Sequence, residues 1–414
     1  MTPIRVLRET FESLHASRNF RLFFLGQVVS VTGTWVQQVA AAWLVLRLTG
    51  SGVALGIDTG LTFLPLLLLG VRGGSLADRA DRRRILMVSN AALGVLALAM
   101  WALVGTGVVQ LWMVYAMSFL SGVVVAYENP ARQSFYAEMV DREHLANAVS
   151  LNSAVMTGTR IAGPAIAAAL ISGVGMAWCF LVNGITYVAA IAGLWAMRPE
   201  ELRRSPSVER GTLRATLAYV RGDDALWMPL VVMAVLYTLS FNFSVIVPLL
   251  AERTFRGDVG TYGTFLSCMG IGSFLGALLM ARVRSPNVRR LAWLAVAFGA
   301  SCVLVAVAPS RGAAMAMLVP FGVVAMAFMI TGNSALQLAV RPEMRGRVMA
   351  LYAIVFLGGT PIGAPIAGTL AEHLGPRDAM AVGGLIAIVT GLAALRLLGA
   401  PRPAPADDGS AAPA

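Results

Sequence analysis

Asp58 and Arg160 are ionisable side chains set inside apolar runs about as long as a bilayer-crossing helix. An ionised group at the middle of a membrane costs from about 2.5 kcal/mol upward, so a chain keeps one there to bind, to carry a proton or to pair with an opposite charge. Asp58 follows Gly56 by two residues, and Gly52, Gly56 and Gly60 recur every fourth position. Such a stripe of small residues lets two helices approach closely. At 100° per residue Asp58 projects to roughly the opposite face. Three placements follow for it: an aqueous cavity where it takes up a proton, a static ion pair with Arg47 or Arg160, or a lipid edge from which it snorkels. Arg160, in "GTRIAGPA", either takes part in coupling or braces the helices around it. Arg47 and Glu128, the other charges inside the runs, stand near their ends.

Other chemistries lack their residues. With no lysine the chain cannot build a GxxxxGK[ST] phosphate loop, and it holds neither a GxSxG elbow nor an HExxH helix. His15, His144 and His373 are too scattered to form a metal site, and Cys179, Cys268 and Cys302 lie singly inside apolar runs. The expectation is a protein that is not an enzyme and carries no metal or cofactor.

The elements that position these residues are read from hydropathy. Of the 414 residues, 57% are hydrophobic and 13% charged, with a mean hydropathy of +0.74, too apolar for one water-soluble core. A bilayer core takes about 20 helical residues to cross. Twelve such runs occur, at 22–48, 53–71, 85–105, 109–128, 147–172, 176–197, 226–250, 259–281, 291–309, 313–338, 348–371 and 379–399. The first 19 residues have charges and no apolar core, so no cleavable signal is expected there.

All 32 basic residues are arginines. Twenty-six of them fall in the alternate segments 1–21, 72–84, 128–145, 198–225, 282–290, 341–347 and 396–402, whereas the intervening loops hold only Arg253, Arg256, Arg311 and Arg377. The positive-inside rule turns this asymmetry into a topology with both termini cytoplasmic, in a bacterial-type inner (plasma) membrane. The net charge of +11 then reads as topology and attraction to lipid headgroups, with no nucleic-acid partner.

The longest hydrophilic stretch, 198–225, splits the runs six and six. The organisation is therefore an N-terminus (1–21), a first six-helix bundle (22–197), an inter-bundle loop (198–225), a second bundle (226–399) and a Pro/Ala-rich tail expected to be disordered (400–414). The halves echo each other. Residues 142–172 laid on 342–372 give eight identities, and "NPARQ" (129–133) is matched by "NSALQ" (333–337). Repeated bundles of this kind are the mark of a secondary transporter that rocks around a midplane site.

"GGSLADRADRRRIL", between runs two and three, resembles the loop signature of the major facilitator superfamily, GxLaDRxGrRxxL, at Gly74, Leu76, Asp78, Arg79, Arg82, Arg83 and Leu86. Asp81 stands where a glycine is usual. "GTWVQQVAAAWLVLRLTGS" (33–51), "ENPARQSFYAEMV" (128–140), "LANAVSLNSAVMTGTRIAGPAIA" (145–167) and "RGRVMALYAIVFLGGTPIGAPIAG" (345–368) are similar to the branch of enterobactin exporters and drug and macrolide efflux proteins. The resemblance implies an all-α membrane fold of twelve helices in two pseudo-symmetric bundles. It further implies a cavity lined by runs one, four, seven and ten. Their polar residues are Gln27, Ser30, Thr34, Gln37, Gln38, Tyr115, Ser118, Tyr237, Ser240, Asn242, Asn333 and Gln337, which serve equally to glue helices together. A cytoplasmic latch is also implied: Asp78, with Gly74 permitting close approach and the flanking arginines, joins the halves through Glu128 and the start of run eleven at Arg345.

The leading function is gradient-driven export, in exchange for protons, of a small amphipathic molecule such as a siderophore, macrolide or other drug, by a protein acting as a monomer. A proton-coupled importer of a nutrient is the alternative, and a membrane receptor or enzyme the distant third.

Overall fold

A computed structural model describes residues 11–203, 213–283 and 286–399. The expected disordered tail at 400–414 and the first ten residues lie outside them. Twelve helices among the described residues are long and apolar enough to cross a membrane: α1 (Arg18–Thr49), α2 (Gly52–Arg79), α3 (Arg82–Gly105), α4 (Leu111–Met139), α5 (Arg142–Gly173), α6 (Ala177–Trp195), α7 (Asp224–Leu239, resuming at Phe243–Leu249), α8 (Val259–Ala281), α9 (Val288–Ala306), α10 (Arg311–Ala339), α11 (Arg345–Gly358 and Thr360–His373) and α12 (Pro376–Gly399). No strand occurs among the described residues. Side-chain caps fix many of the starts: Ser17, Ser51, Asp81, Asp223, Asp258, Asn287 and Ser310 each accept a backbone N–H of the first turn. Gly50, at φ 61°, ends α1 in the left-handed conformation that lets α2 begin two residues later.

Within each half, small residues carry the packing. Gly122 of α4 lies where a side chain would strike the Thr62 carbonyl of α2, and Gly322 of α10, two hundred positions on, lies in the same way against Met269 of α8. This pair gives the sequence echo a physical cause, since both halves need a Cβ-less residue at one helix crossing.

The structure corrects three boundaries. Residues 72–84 are not a loop: α2 continues to Arg79, α3 starts at Arg82, and Ala80 and Asp81 alone turn the chain. Asp81 replaces the usual glycine as the cap of α3, accepting the Arg84 N–H at 3.2 Å. The inter-bundle segment 198–225 contains a helix, Leu213–Arg221, because Thr216 and Val220 share a face that is buried. The N-terminal segment also holds a helix, Glu12–Ala16, anchored on α5 where the Ser13 hydroxyl donates to Asn147 at 2.6 Å.

Candidate functional site

The two bundles meet along two seams, α2 with α11 and α5 with α8. On the first, Gly52, Gly56 and Gly60 face Gly368, Ala364 and the Pro361–Pro365 turn, as the four-residue stripe predicts. On the second, Gly263 faces Pro164 and Ala168, Gly270 faces Ile161, and the Ser267 hydroxyl donates to the Ile161 carbonyl at 3.0 Å. Trp43 of α1 stacks on Tyr262 of α8 at 6.1 Å. All these contacts belong to the halves of the helices nearest the arginine-poor loops. Toward the arginine-rich loops the seams part: a side chain added at Gly158 of α5 or Gly346 of α11 would meet no atom within 4 Å. The molecule is therefore closed at the arginine-poor end and cleft at the other.

A polar lock holds the closed end. Glu372, at the end of α11, accepts the Gly52 N–H at the start of α2 at 2.6 Å and pairs with Arg253 at 2.9 Å, while Arg253 also donates to the Gly50 carbonyl. A carboxylate on a helix N-terminus satisfies an orphan donor and meets the positive end of the dipole. At the start of α8 Asp258 accepts the Thr261 N–H at 2.9 Å, which holds its carboxyl below the usual carboxylate range. Glu372→Gln is expected to shift the closed-to-open ratio of this end roughly tenfold toward open, read as a longer distance between labels at Thr49 and Leu374. An unchanged distance would show that the glycine seam suffices.

Asp58 points away from the glycine seam, as its position requires, and lies 6% exposed between α2 and α4. The Ser118 hydroxyl donates to it at 2.7 Å, and the Tyr115 hydroxyl donates to the Ala54 carbonyl one turn away. No ion pair joins it to a described residue, so of its three possible placements the static pair with Arg47 or Arg160 is not formed. The physical reason is placement. Arg47 is exposed in the last turn of α1, and Arg160 lies over the Trp35 ring, 5.3 Å from its centroid.

The arginines of the resembling motif work inside the first bundle. Arg82 is 6% exposed, forms an ion pair with Glu138 at the end of α4 and donates to the Ala77 carbonyl at 2.9 Å. Arg83 donates to the carbonyls of Leu194 and Trp195 at the end of α6, at 2.7 and 3.0 Å. The close approach beside Gly74 is made by its neighbour Gly73, against the Ala126 carbonyl of α4. Glu128 is buried and 3.6 Å from Arg132. Arg79 and Arg345 are exposed, and Asp78 is half-buried. In this conformation neither Arg82, Arg83 nor Glu128 bridges the halves, because each is turned onto a partner in its own bundle.

Of the polar residues expected to line a cavity, several bind helices together. Gln37 accepts from Asn183 of α6 at 2.7 Å, and Thr34 lies 3.4 Å from the Tyr187 hydroxyl. Gln27 and Ser30 are buried on α1. Tyr237 is buried among Phe241, Phe328 and Phe356. At the break in α7, Ser240 donates to Gly383 of α12 and Asn242 to Thr238, both at 2.8 Å. Asn333 accepts from Gln337 at 2.7 Å at the arginine-rich end of α10, and Gln38 is exposed. Sequence reasoning missed Glu138, Arg253, Glu372 and Trp35. "ENPARQSFYAEMV" does contain Glu138, whose position at the end of a span, like that of Arg82 at the start of the next, was the available signal.

Comparison with known proteins agrees with this geometry. Macrolide efflux protein A of Streptococcus pyogenes is 23% identical over 383 residues, covering 89% of this chain and 93% of that protein. The enterobactin exporter EntS of Salmonella typhi is 22% identical over 388 residues, 92% of each. The crystal structure of a bacterial homolog of the human lysosomal transporter Spinster, inward-facing and unoccupied, matches with a TM-score of 0.69 at 15% identity, covering 92% of this chain and 95% of that one. The transmembrane secretion effector family matches residues 10–409, nearly the whole length. With twelve membrane-crossing helices in two pseudo-symmetric bundles and a cleft between them, the chain belongs to the transmembrane secretion effector family of major facilitator transporters and is not an enzyme.

Proposed function

We propose that this transporter exports a small amphipathic molecule of siderophore, macrolide or drug type in exchange for protons, acting as a monomer in a bacterial inner membrane. The arginine asymmetry supports a cytoplasmic side for the cleft end and both termini. The observation that carries the reading is the one-ended closure: seams and the Glu372 lock shut the far side while the cytoplasmic side is open to receive cargo. Two relatives named for efflux, each matched over about nine-tenths of this chain, support the outward direction. Asp58 is the proton carrier in this scheme, since it is buried, has a hydroxyl partner and forms no ion pair with a described residue. Everted vesicles holding the full chain test the reading. Adding a macrolide or enterobactin to energised vesicles should drive both uptake of the compound and a matching proton outflow. Uptake without proton movement would remove the exchange, and loss of the compound from preloaded vesicles together with proton outflow would make the protein an importer.

In the opposite, outward-facing state the cleft end must close, and Asp78 at the cytoplasmic end of α2 is the residue assigned to that latch, meeting the start of α11. Removing one charge-assisted contact shifts a two-state equilibrium roughly tenfold to a hundredfold. Asp78→Asn is therefore expected to enrich the inward-facing state and slow transport while insertion survives. The distance between labels on the cytoplasmic ends of α2 and α11 reads this, and an unchanged distribution would return the acid to a packing role.

A further inference from the structure

Arg160 stands at the point where the second seam ends. On its arginine-poor side Ile161 touches Gly270 and accepts Ser267, and the Arg160 carbonyl itself lies against Gly270. Two residues the other way, Gly158 borders open space. The side chain thus sits at the blind end of the cleft, about 20 Å from the arginine-poor end of α5 at 1.5 Å per residue. Gly163, one turn on, lets α5 press against Trp35 of α1, and the guanidinium lies over that ring.

Its electrostatics are incomplete. The Nε atom is buried without a hydrogen-bond partner, and no described acceptor or carboxylate meets the terminal nitrogens. Three of the carboxylates within the helices have partners: Asp58 has Ser118, Glu128 has Arg132 and Glu138 has Arg82. A guanidinium keeps its proton at any physiological pH, so Arg160 cannot be the proton carrier that its position first brings to mind. An unpaired cation in a membrane is expensive unless water or an anion completes it. Stacking on Trp35 holds one face, and no described acceptor takes the planar fork of N–H donors.

We infer that Arg160, laid on Trp35, is the binding site for an anionic group of the cargo, and that the transported molecule is an organic acid with an apolar or aromatic body. This rests on the transporter reading above and narrows it, because a cationic amphiphile such as a protonated macrolide would be repelled at this position. A carboxylate matches the fork with two parallel hydrogen bonds, and an adjoining ring would share the Trp35 surface.

The test uses the full chain in lipid nanodiscs with two probes of equal shape, 1-naphthoate and 1-naphthamide, followed by calorimetry without any gradient. Native protein should bind the naphthoate at least tenfold more tightly. Arg160→Gln should erase that preference, a loss of roughly tenfold to a hundredfold in naphthoate affinity, and Arg160→Lys should keep part of it. Trp35→Ala should weaken both probes. Equal affinity for the two probes in native protein, no binding of naphthoate at millimolar concentration, or a preference that survives Arg160→Gln would each overturn the site. Should Arg160→Gln fail to fold, the native ratio decides alone. Equal binding of the two probes by native protein that still performs proton-driven efflux would discard the anion site and leave the transporter reading, whereas a naphthoate preference without such efflux would keep the site and discard that reading.

Discussion

Replacing Arg82 by alanine is expected to cost about 3–5 kcal/mol, because it removes the ion-pair partner of a buried carboxylate, that of Glu138. Glu138 is 7% exposed and Arg82 6%, so neither can turn to water when the other is removed. The same arginine also caps the Ala77 carbonyl near the end of α2, so its loss frees the α2–α3 turn as well. The purified variant should unfold many degrees below the native chain, or fail to reach the membrane in yield. The double variant Arg82→Met, Glu138→Leu should recover much of the loss, because well-packed apolar residues commonly replace a buried ion pair at little cost. Native-like stability of Arg82→Ala would mean that water reaches Glu138. This expectation differs from the one the motif alone prompts, in which Arg82 belongs to a cytoplasmic latch and its loss biases conformation while folding survives.

Asp58→Asn is expected to abolish proton-driven efflux of any compound that the native vesicles export. Asparagine has the volume of aspartate and still accepts the Ser118 hydroxyl, so the α2–α4 contact survives and binding measured without a gradient should persist. What the amide cannot do is gain and lose a proton. Unaltered coupled efflux by the variant would dismiss Asp58 as the carrier and leave it a hydrogen-bonded tie between α2 and α4.

Much of the fold was legible because a bilayer leaves few options. Twelve apolar runs, the arginine asymmetry and the four-residue glycine stripe are all imposed by lipid or by helix contact, and each reads directly along the chain. Helix ends were less legible. Beyond the hydrocarbon nothing forbids polar residues in a helix, so α2 runs past its apolar segment at 53–71 to Arg79. The ion pairs were not legible at all. Arg82 and Glu138 are 56 positions apart and Arg253 and Glu372 are 119 apart, and no local period connects them. Periodicity placed Asp58 opposite the glycine stripe, yet it could not say that Ser118 of α4 would be there. Arg160 was visible as an anomaly, whereas the Trp35 face beneath it depends on how α5 crosses α1.

In the proposed cycle, proton uptake drives the two ends of one molecule to open in turn. Paired distances measured by electron spin resonance follow both ends at once. One label pair belongs at Leu76 and Arg345 on the cleft end and another at Thr49 and Leu374 on the closed end, in a chain with Cys179, Cys268 and Cys302 replaced. Acidification should move the two distance populations in opposite senses, one shortening as the other lengthens, and Asp58→Asn should hold a single distribution at every pH. Distances that ignore pH, or that change together at both ends, would contradict a proton-coupled exporter working by alternating access.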